Sequence, residues 1–120
     1  MPLRRVVVVA NPRAGLRVGG ALNEAIELLK RHVETQVEYT RHAGHAEQLA
    51  RDLGADPDTL VAVCGGDGTL NEALNGIPSR GVLGLLPAGT ANVVARELGI
   101  PLNLREAAKV VAGRKVASGV

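Results

Sequence analysis

Leu60-Val61-Ala62-Val63-Cys64-Gly65-Gly66-Asp67-Gly68-Thr69-Leu70-Asn71-Glu72 decides how the rest of the chain is read. An apolar run of strand length meets three glycines around one carboxylate, and a helix-compatible segment follows at once. Glycine has no Cβ, so a backbone built from it can turn tightly and lie close to a ligand. A helix start leaves N–H groups without intrahelical partners and a partial positive charge, which suits phosphate. The stretch reads as a phosphate-gripping turn at the carboxyl end of a buried strand. A plainer reading stands beside it: a strand-to-helix turn capped by Thr69, with Glu72 closing a capping box. Both can hold together.

Working outward, the same alternation recurs. Val6 to Ala10 is an unbroken apolar run suited to a strand covered on both faces. The turn Asn11-Pro12-Arg13-Ala14-Gly15 follows it, with turn chemistry at Asn11, Pro12 and Gly15. Leu22, Ala25, Ile26, Leu29 and Val33 keep a helical period. Thr35 to Arg41 reads as a second strand, with Val37 and Tyr39 alternating against polar neighbours. Gly44-His45-Ala46 opens a helix lined by Ala46, Leu49, Ala50 and Leu53, which Gly54 can end. After the glycine turn, Leu70, Ala73, Leu74 and Ile77 form a buried stripe, stopped by Gly76 and Pro78.

Val82 to Leu86 is a fourth strand, and Pro87-Ala88-Gly89-Thr90-Ala91-Asn92 leaves it. Two more helical stripes follow, through Ala91–Leu98 and Leu104–Val111, and Arg114 to Val120 reads as a final strand or the start of a further element. The spacing predicts an α/β fold: a three-layer α/β/α sandwich with a mainly parallel sheet, in one domain.

The chain has 120 residues, 46% of them apolar, with one Tyr and no Phe or Trp. Its core is therefore aliphatic, and base stacking on aromatic platforms is excluded as a main activity. The net charge of +2 comes from scattered basic residues without a stripe, so no nucleic-acid partner is expected. The single cysteine, Cys64, lies in the most apolar strand and cannot form an internal disulfide. Three histidines and one cysteine give no metal-ligand spacing. No apolar stretch is long enough to span a membrane and no signal peptide is visible, so a cytoplasmic protein is expected.

In a parallel sheet all strand C-termini share one edge, and ligands bind there at a switch in strand order. The turns at Asn11–Gly15, Gly65–Thr69 and Pro87–Asn92 leave strands on that edge. They lack the Lys of a Walker P-loop and the G-x-G-x-x-G dinucleotide fingerprint after the first strand.

These segments resemble the catalytic region of the diacylglycerol kinase, sphingosine kinase and bacterial lipid kinase superfamily. Asn-Pro-Arg-Ala-Gly (11–15) is similar to its first nucleotide motif, and Gly-Gly-Asp-Gly-Thr-Leu-Asn-Glu (65–72) to its signature. Gly-Thr-Ala-Asn (89–92) with Ala95-Arg96 is similar to its third, and Thr40 with Gly44-His45-Ala46 fits its second strand and turn. The resemblance covers essentially the whole chain. It implies a nucleotide-binding domain related to the phosphofructokinase and NAD kinase folds. It also implies ATP contacts at Asn11, Pro12, Arg13, Ala14, Gly15, Thr40, Gly66, Asp67, Gly68, Thr69, Leu70, Asn71, Glu72 and Thr90. Mg²⁺ would accompany ATP, with Asp67 serving it directly or through water. The implied reaction is phosphoryl transfer from ATP to a lipid hydroxyl of the diacylglycerol or sphingoid-base type, at a membrane surface. Peripheral membrane association and a homodimer stay open.

Plainer roles stay open as well. Asn11 could form only an Asx turn, Asp67 could cap a helix, and Glu72 could complete the capping box. Arg13 and Arg17 reach phosphate or are simply solvated, His45 reads as structural or exposed, and Arg96 as packing or a salt bridge. Two departures from the family pattern stand out. Val93-Val94 replaces the Asp-Phe common after the third motif, which bears on acceptor recognition. The family's β-rich second domain, with its acceptor pocket and general base, is expected beyond Val120, so this chain is expected to bind nucleotide without full catalysis. An NAD kinase or phosphofructokinase relative, and a non-catalytic nucleotide-binding module, are the alternatives.

Overall fold

The strands that interrupt this chain do not pair in sequence order, and that reordering builds the site. A computed structural model describes residues 4–13, 20–79, 81–87 and 117–118. Within them lie β1 (Arg5–Ala10), α1 (Gly20–Lys30), β2 (Glu34–Tyr39), α2 (His45–Leu53), β3 (Thr59–Gly65), α3 (Asp67–Gly76), β4 (Val82–Pro87) and β5 (Ala117–Ser118). The sheet order is β2-β1-β3-β4-β5. The first four strands run parallel, and β5 pairs antiparallel with β4. The expected α/β class holds. The third turn, the two helical stripes after it, and Ala14, Gly15, Arg17, Thr90, Val93-Val94 and Arg96 lie outside the described residues.

Strand composition explains strand position. From Val6 through Ala10 and from Thr59 through Gly65 every residue of β1 and β3 is buried. Continuous apolar runs suit interior strands with both faces covered. β2 sits at the edge, where Glu34, Gln36 and Glu38 are exposed and Thr35 and Val37 half-buried. Charged side chains along an edge discourage pairing with another chain. Tyr39 does not join the inward row that its alternation suggests: at the end of this strand it is 47% exposed.

Side chains alternate across a strand, so each buried strand feeds both faces of the sheet. On one face, Leu22, Ala25, Ile26 and Leu29 of α1 pack against Val6, Val8, Ala10, Leu60, Ala62, Cys64 and Leu86. On the other, Ala46 and Ala50 of α2 and Leu70, Ala73 and Ile77 of α3 pack against Val9, Val61, Val63, Leu83 and Leu85. These are the three layers.

Helices α2 and α3 meet closely. A Cβ on Gly76 would strike the backbone of Glu47, so the two helices approach to a distance only glycine permits. Gly54 ends α2 with ordinary right-handed torsions, φ −72° and ψ −9°, rather than a left-handed cap. What requires a glycine there is space: a Cβ would lie 2.5 Å from Ile77 Cδ1 and 2.6 Å from the Ala50 carbonyl oxygen.

The edge of the sheet opposite the glycine turn is held by polar bonds. Arg4 Nε pairs with Asp58 Oδ2 at 2.8 Å. Arg5 Nε donates to Thr59 Oγ1 at 3.1 Å, and Thr59 Oγ1 donates to Asp56 Oδ2 at 3.0 Å. Thr59 is fully buried, and these bonds satisfy its hydroxyl. Asp56 Oδ1 also accepts the Asp58 N–H at 2.9 Å. That bond first, then the Thr59 hydroxyl, holds the Asp56 carboxyl below its ordinary value.

Candidate nucleotide site

In a sheet ordered β2-β1-β3-β4, the chain runs one way from β1 to β2 and crosses back over β1 to reach β3. A crevice opens between the carboxyl ends of β1 and β3, because their outgoing connections diverge to opposite faces. The structure has a cleft of about 640 Å³ at that place. Asn11, Pro12 and Arg13 line it from the end of β1, and Thr40, Arg41, His42 and Ala43 from the end of β2. Gly68, Thr69 and Glu72 line it from the first turns of α3, just beyond β3. The end of β4 stands on the same sheet edge, since Pro87 registers with Gly65.

Each wall is fixed locally. Asn11 N–H donates to the Cys64 carbonyl at 3.2 Å, tying the end of β1 to the end of β3. Asn11 Oδ1 accepts the Arg13 N–H at 2.8 Å, so the Asx turn read from the sequence is formed. Thr40 N–H donates to the Ala10 carbonyl at 2.9 Å and draws the β2 connection to the end of β1.

The glycine turn differs from its capping-box reading. Helix α3 begins at Asp67 with Gly66 as N-cap, and no side chain caps it. The helix starts three residues before the position that would make Thr69 a cap. Thr69 packs back on Gly65, where a Cβ would come within 2.8 Å of its Cβ and 2.9 Å of its Oγ1. Glu72 reaches across to α2 instead, and its Oε1 accepts the Ala46 N–H at 3.3 Å.

Gly65 is therefore required by internal packing. Gly66 and Gly68 are not: a Cβ on either would meet no atom within 4 Å among the described residues. Gly66 is extended, at φ −83°, and Gly44 alone among the described glycines has a positive φ. The missing side chain at Gly68 leaves backbone open to the cleft, whereas Gly66 is exposed beside the helix start and is not among the described lining residues. Leu70 N–H donates to the Gly66 carbonyl at 3.1 Å. The amides of Gly68 and Thr69 belong to the first turn, at the end of the helix where the partial charge is positive.

Exposed Arg13 and Arg41 and the exposed His42 stand among the lining residues, and Glu72 is the one carboxylate among the described lining residues. Asp67 is half-buried at the first turn of α3, with its Oδ1 shielded from solvent. Of the other residues implied by the resemblance, Leu70 is buried against the sheet and Asn71 is exposed outside the cleft lining. Arg41, His42 and Ala43 line the cleft without having been singled out in the sequence. The available signal was Thr40: a residue at the end of a parallel strand brings its following loop to the same edge.

Among the described residues no group of three His, Cys, Asp or Glu could hold a metal ion. Mg²⁺ characteristically uses one or two carboxylates and completes its shell with phosphate oxygens and water. Asp67 stands at the helix start next to Gly68 of the cleft wall, but it is not among the described lining residues and its Oδ1 is shielded from solvent. Cys64 is no nucleophile: burial pushes its thiol up to about 12.

These features define a class: a doubly wound α/β domain with a polar, arginine-bearing crevice at its switch point. The model of the diacylglycerol kinase catalytic domain matches residues 5–119, and the chain belongs to that family. It is 37% identical over 114 residues to a diacylglycerol kinase of Staphylococcus saprophyticus, covering 90% of this chain and 37% of that protein. It is 32% identical to one of Bacillus subtilis, covering 82% of this chain and 34% of that protein. A putative diacylglycerol kinase structure from Bacillus anthracis superposes with a TM-score of 0.83 at 29% identity, over 95% of this chain and 43% of that one. The chain thus spans little more than a third of the curated relatives it matches. No helix among the described residues is long and apolar enough to cross a membrane.

Proposed function

We propose that this chain is the ATP-binding domain of a lipid kinase, which passes the γ-phosphate of ATP to the hydroxyl of a diacylglycerol-type lipid. The observation that carries this reading is the cleft at the switch point, where the connections after β1, β2 and β3 meet. In this reading the phosphates lie against the open backbone of Gly66 and Gly68 and accept hydrogen bonds from the Gly68 and Thr69 amides. Arg13 supplies positive charge from the opposite wall. Asp67 would serve the Mg²⁺ that accompanies ATP, which when bound would supply neutralising charge for phosphoryl transfer. The protein's share of catalysis is positioning and charge stabilisation.

Residues 1–120 would form the nucleotide half, with the acceptor pocket and general base in a second, β-rich domain of a longer polypeptide. The coverage of the curated relatives supports that division. The family match favours this reading over an NAD kinase or phosphofructokinase relative. A membrane-surface encounter with the acceptor belongs to the same proposal.

The experiment has two arms. Titration of the chain with Mg·ATP is expected to show saturable binding and a raised melting temperature. The longest polypeptide carrying this sequence is then offered diacylglycerol, sphingosine and NAD in competition, and labelled phosphate is expected on diacylglycerol. Phosphate on NAD would reassign the acceptor, and binding without transfer to any acceptor would favour a nucleotide-binding module.

A further inference from the structure

The β2–α2 connection supplies Thr40, Arg41, His42 and Ala43 to the cleft, yet Arg41, His42 and Ala43 are exposed on the flank of an edge strand. Holding such a segment in one shape costs backbone entropy, about 1–2 kcal/mol per residue, which local bonds must offset. The bonds converge on His45. The Arg41 N–H donates to His45 Nδ1 at 2.9 Å, and the His45 N–H donates to the His42 carbonyl at 3.2 Å. The rings of His42 and His45 stack, with centroids 4.7 Å apart and planes within 17°. His42 Nδ1 lies 2.9 Å from the Ala43 carbonyl, and Gly44 takes φ 84° to close the turn.

The partners decide the tautomers. A carbonyl can only accept, so His42 carries its proton on Nδ1. The Arg41 amide can only donate, so His45 leaves Nδ1 bare and carries its proton on Nε2. The neighbouring Ala46 N–H is bound by Glu72 of α3, itself a lining residue of the cleft. The start of α2 is thus braced towards both the β2 and the β3 walls.

We infer that His45 is a positioning residue of the nucleotide site: its neutral imidazole, accepting at Nδ1, holds the Arg41 backbone and with it the β2 wall of the cleft. This rests on the nucleotide-binding reading. It goes beyond that reading by giving a role to a side chain that is absent from the cleft lining.

The test uses the chain and His45→Ala, His45→Asn and His45→Gln variants. Nitrogen-15 spectra at pH 7.5 report the ring tautomer and the exchange of the Arg41 amide, and titration with Mg·ATP reports affinity. Asn places an oxygen where Nδ1 stood, whereas Gln reaches towards Nε2. The wild-type ring is expected as the Nε2–H tautomer. His45→Ala is expected to speed Arg41 exchange and weaken Mg·ATP about two- to tenfold, the worth of one modest hydrogen bond. His45→Asn is expected to restore both and His45→Gln neither. A ring protonated at Nδ1, or His45→Ala with unchanged exchange and affinity, overturns the inference. So does equal rescue by Asn and Gln. A wild-type chain that binds no Mg·ATP removes the nucleotide-binding reading and the positioning role with it, while the tautomer and Arg41 exchange still report whether the brace exists.

Discussion

Two glycines of one helix are expected to answer the same substitution in opposite ways, which separates a glycine kept for a ligand from one kept for packing. At Gly68 a Cβ enters open space at the first turn of α3. Replacing glycine by alanine where the backbone accepts it stabilises by about 0.4–1 kcal/mol, by restricting the unfolded chain. Gly68→Ala is therefore expected to raise the melting temperature by roughly 2–5 °C for a domain of this size. The new methyl also covers the amides proposed to receive phosphate. Charge-assisted hydrogen bonds are worth about 1.5–3 kcal/mol, so Mg·ATP affinity is expected to fall about ten- to hundredfold.

At Gly76 the same methyl would strike the backbone of Glu47, which cannot rotate away as a side chain can. Gly76→Ala is expected to destabilise by about 1–3 kcal/mol, the usual range for overpacking. Urea unfolding and isothermal titration of both variants provide the measurement. Wild-type Mg·ATP affinity in Gly68→Ala would refute the idea that phosphate approaches this turn. A Gly76→Ala variant as stable as wild type would refute the packing argument.

Other expectations follow from individual bonds. Glu72→Ala strands the Ala46 N–H and is expected to lower stability by about 1 kcal/mol in urea unfolding, with Glu72→Gln recovering most of it because the amide oxygen still accepts. Asp56, its carboxyl lowered by the Asp58 N–H and the Thr59 hydroxyl, stabilises the fold at neutral pH. That contribution is lost as pH falls through its folded value, so Asp56→Ala should flatten the acid limb of a stability–pH curve. Cys64 behaves oppositely. Its thiol is raised from 9.0 to about 12, so the folded chain keeps a proton that the unfolded chain releases, and stability falls as pH rises through that interval. Cys64→Ala should flatten the alkaline limb, and a thiol reagent at pH 8 should label the wild-type chain only at its opening rate.

The pattern of residues determined the layers. Unbroken runs at Val6–Ala10 and Leu60–Cys64 can only be interior strands. The stripes Leu22–Ala25–Ile26–Leu29 and Leu70–Ala73–Ile77 face the sheet because apolar surface leaves water wherever the fold allows it, whereas Leu74, read as part of the second stripe, turns out of it and is 38% exposed. Turn chemistry was legible for the same local reason: an Asn two residues before the amide that it binds carries its partner along the chain. Contacts between segments distant in sequence were not legible. Nothing near Glu72 indicates that its carboxylate turns from its own helix to the N–H of Ala46. Nothing near Gly54 or Gly76 says that Ile77 or the backbone of Glu47 fills the space beside them.

Strand order belongs to that second kind. Periodicity says that β1 and β3 are buried but not that they lie side by side, and it is their adjacency that opens the cleft. Among the described residues, local pattern thus fixed which segments are strands and helices and where the glycine and Asx turns fall, since those properties depend on neighbours along the chain. The tertiary structure alone decided that the connections after β1, β2 and β3 face one another, and that Arg41 and His42 join them. Which groups meet across a sheet edge is set by how whole elements pack, and no local pattern records it.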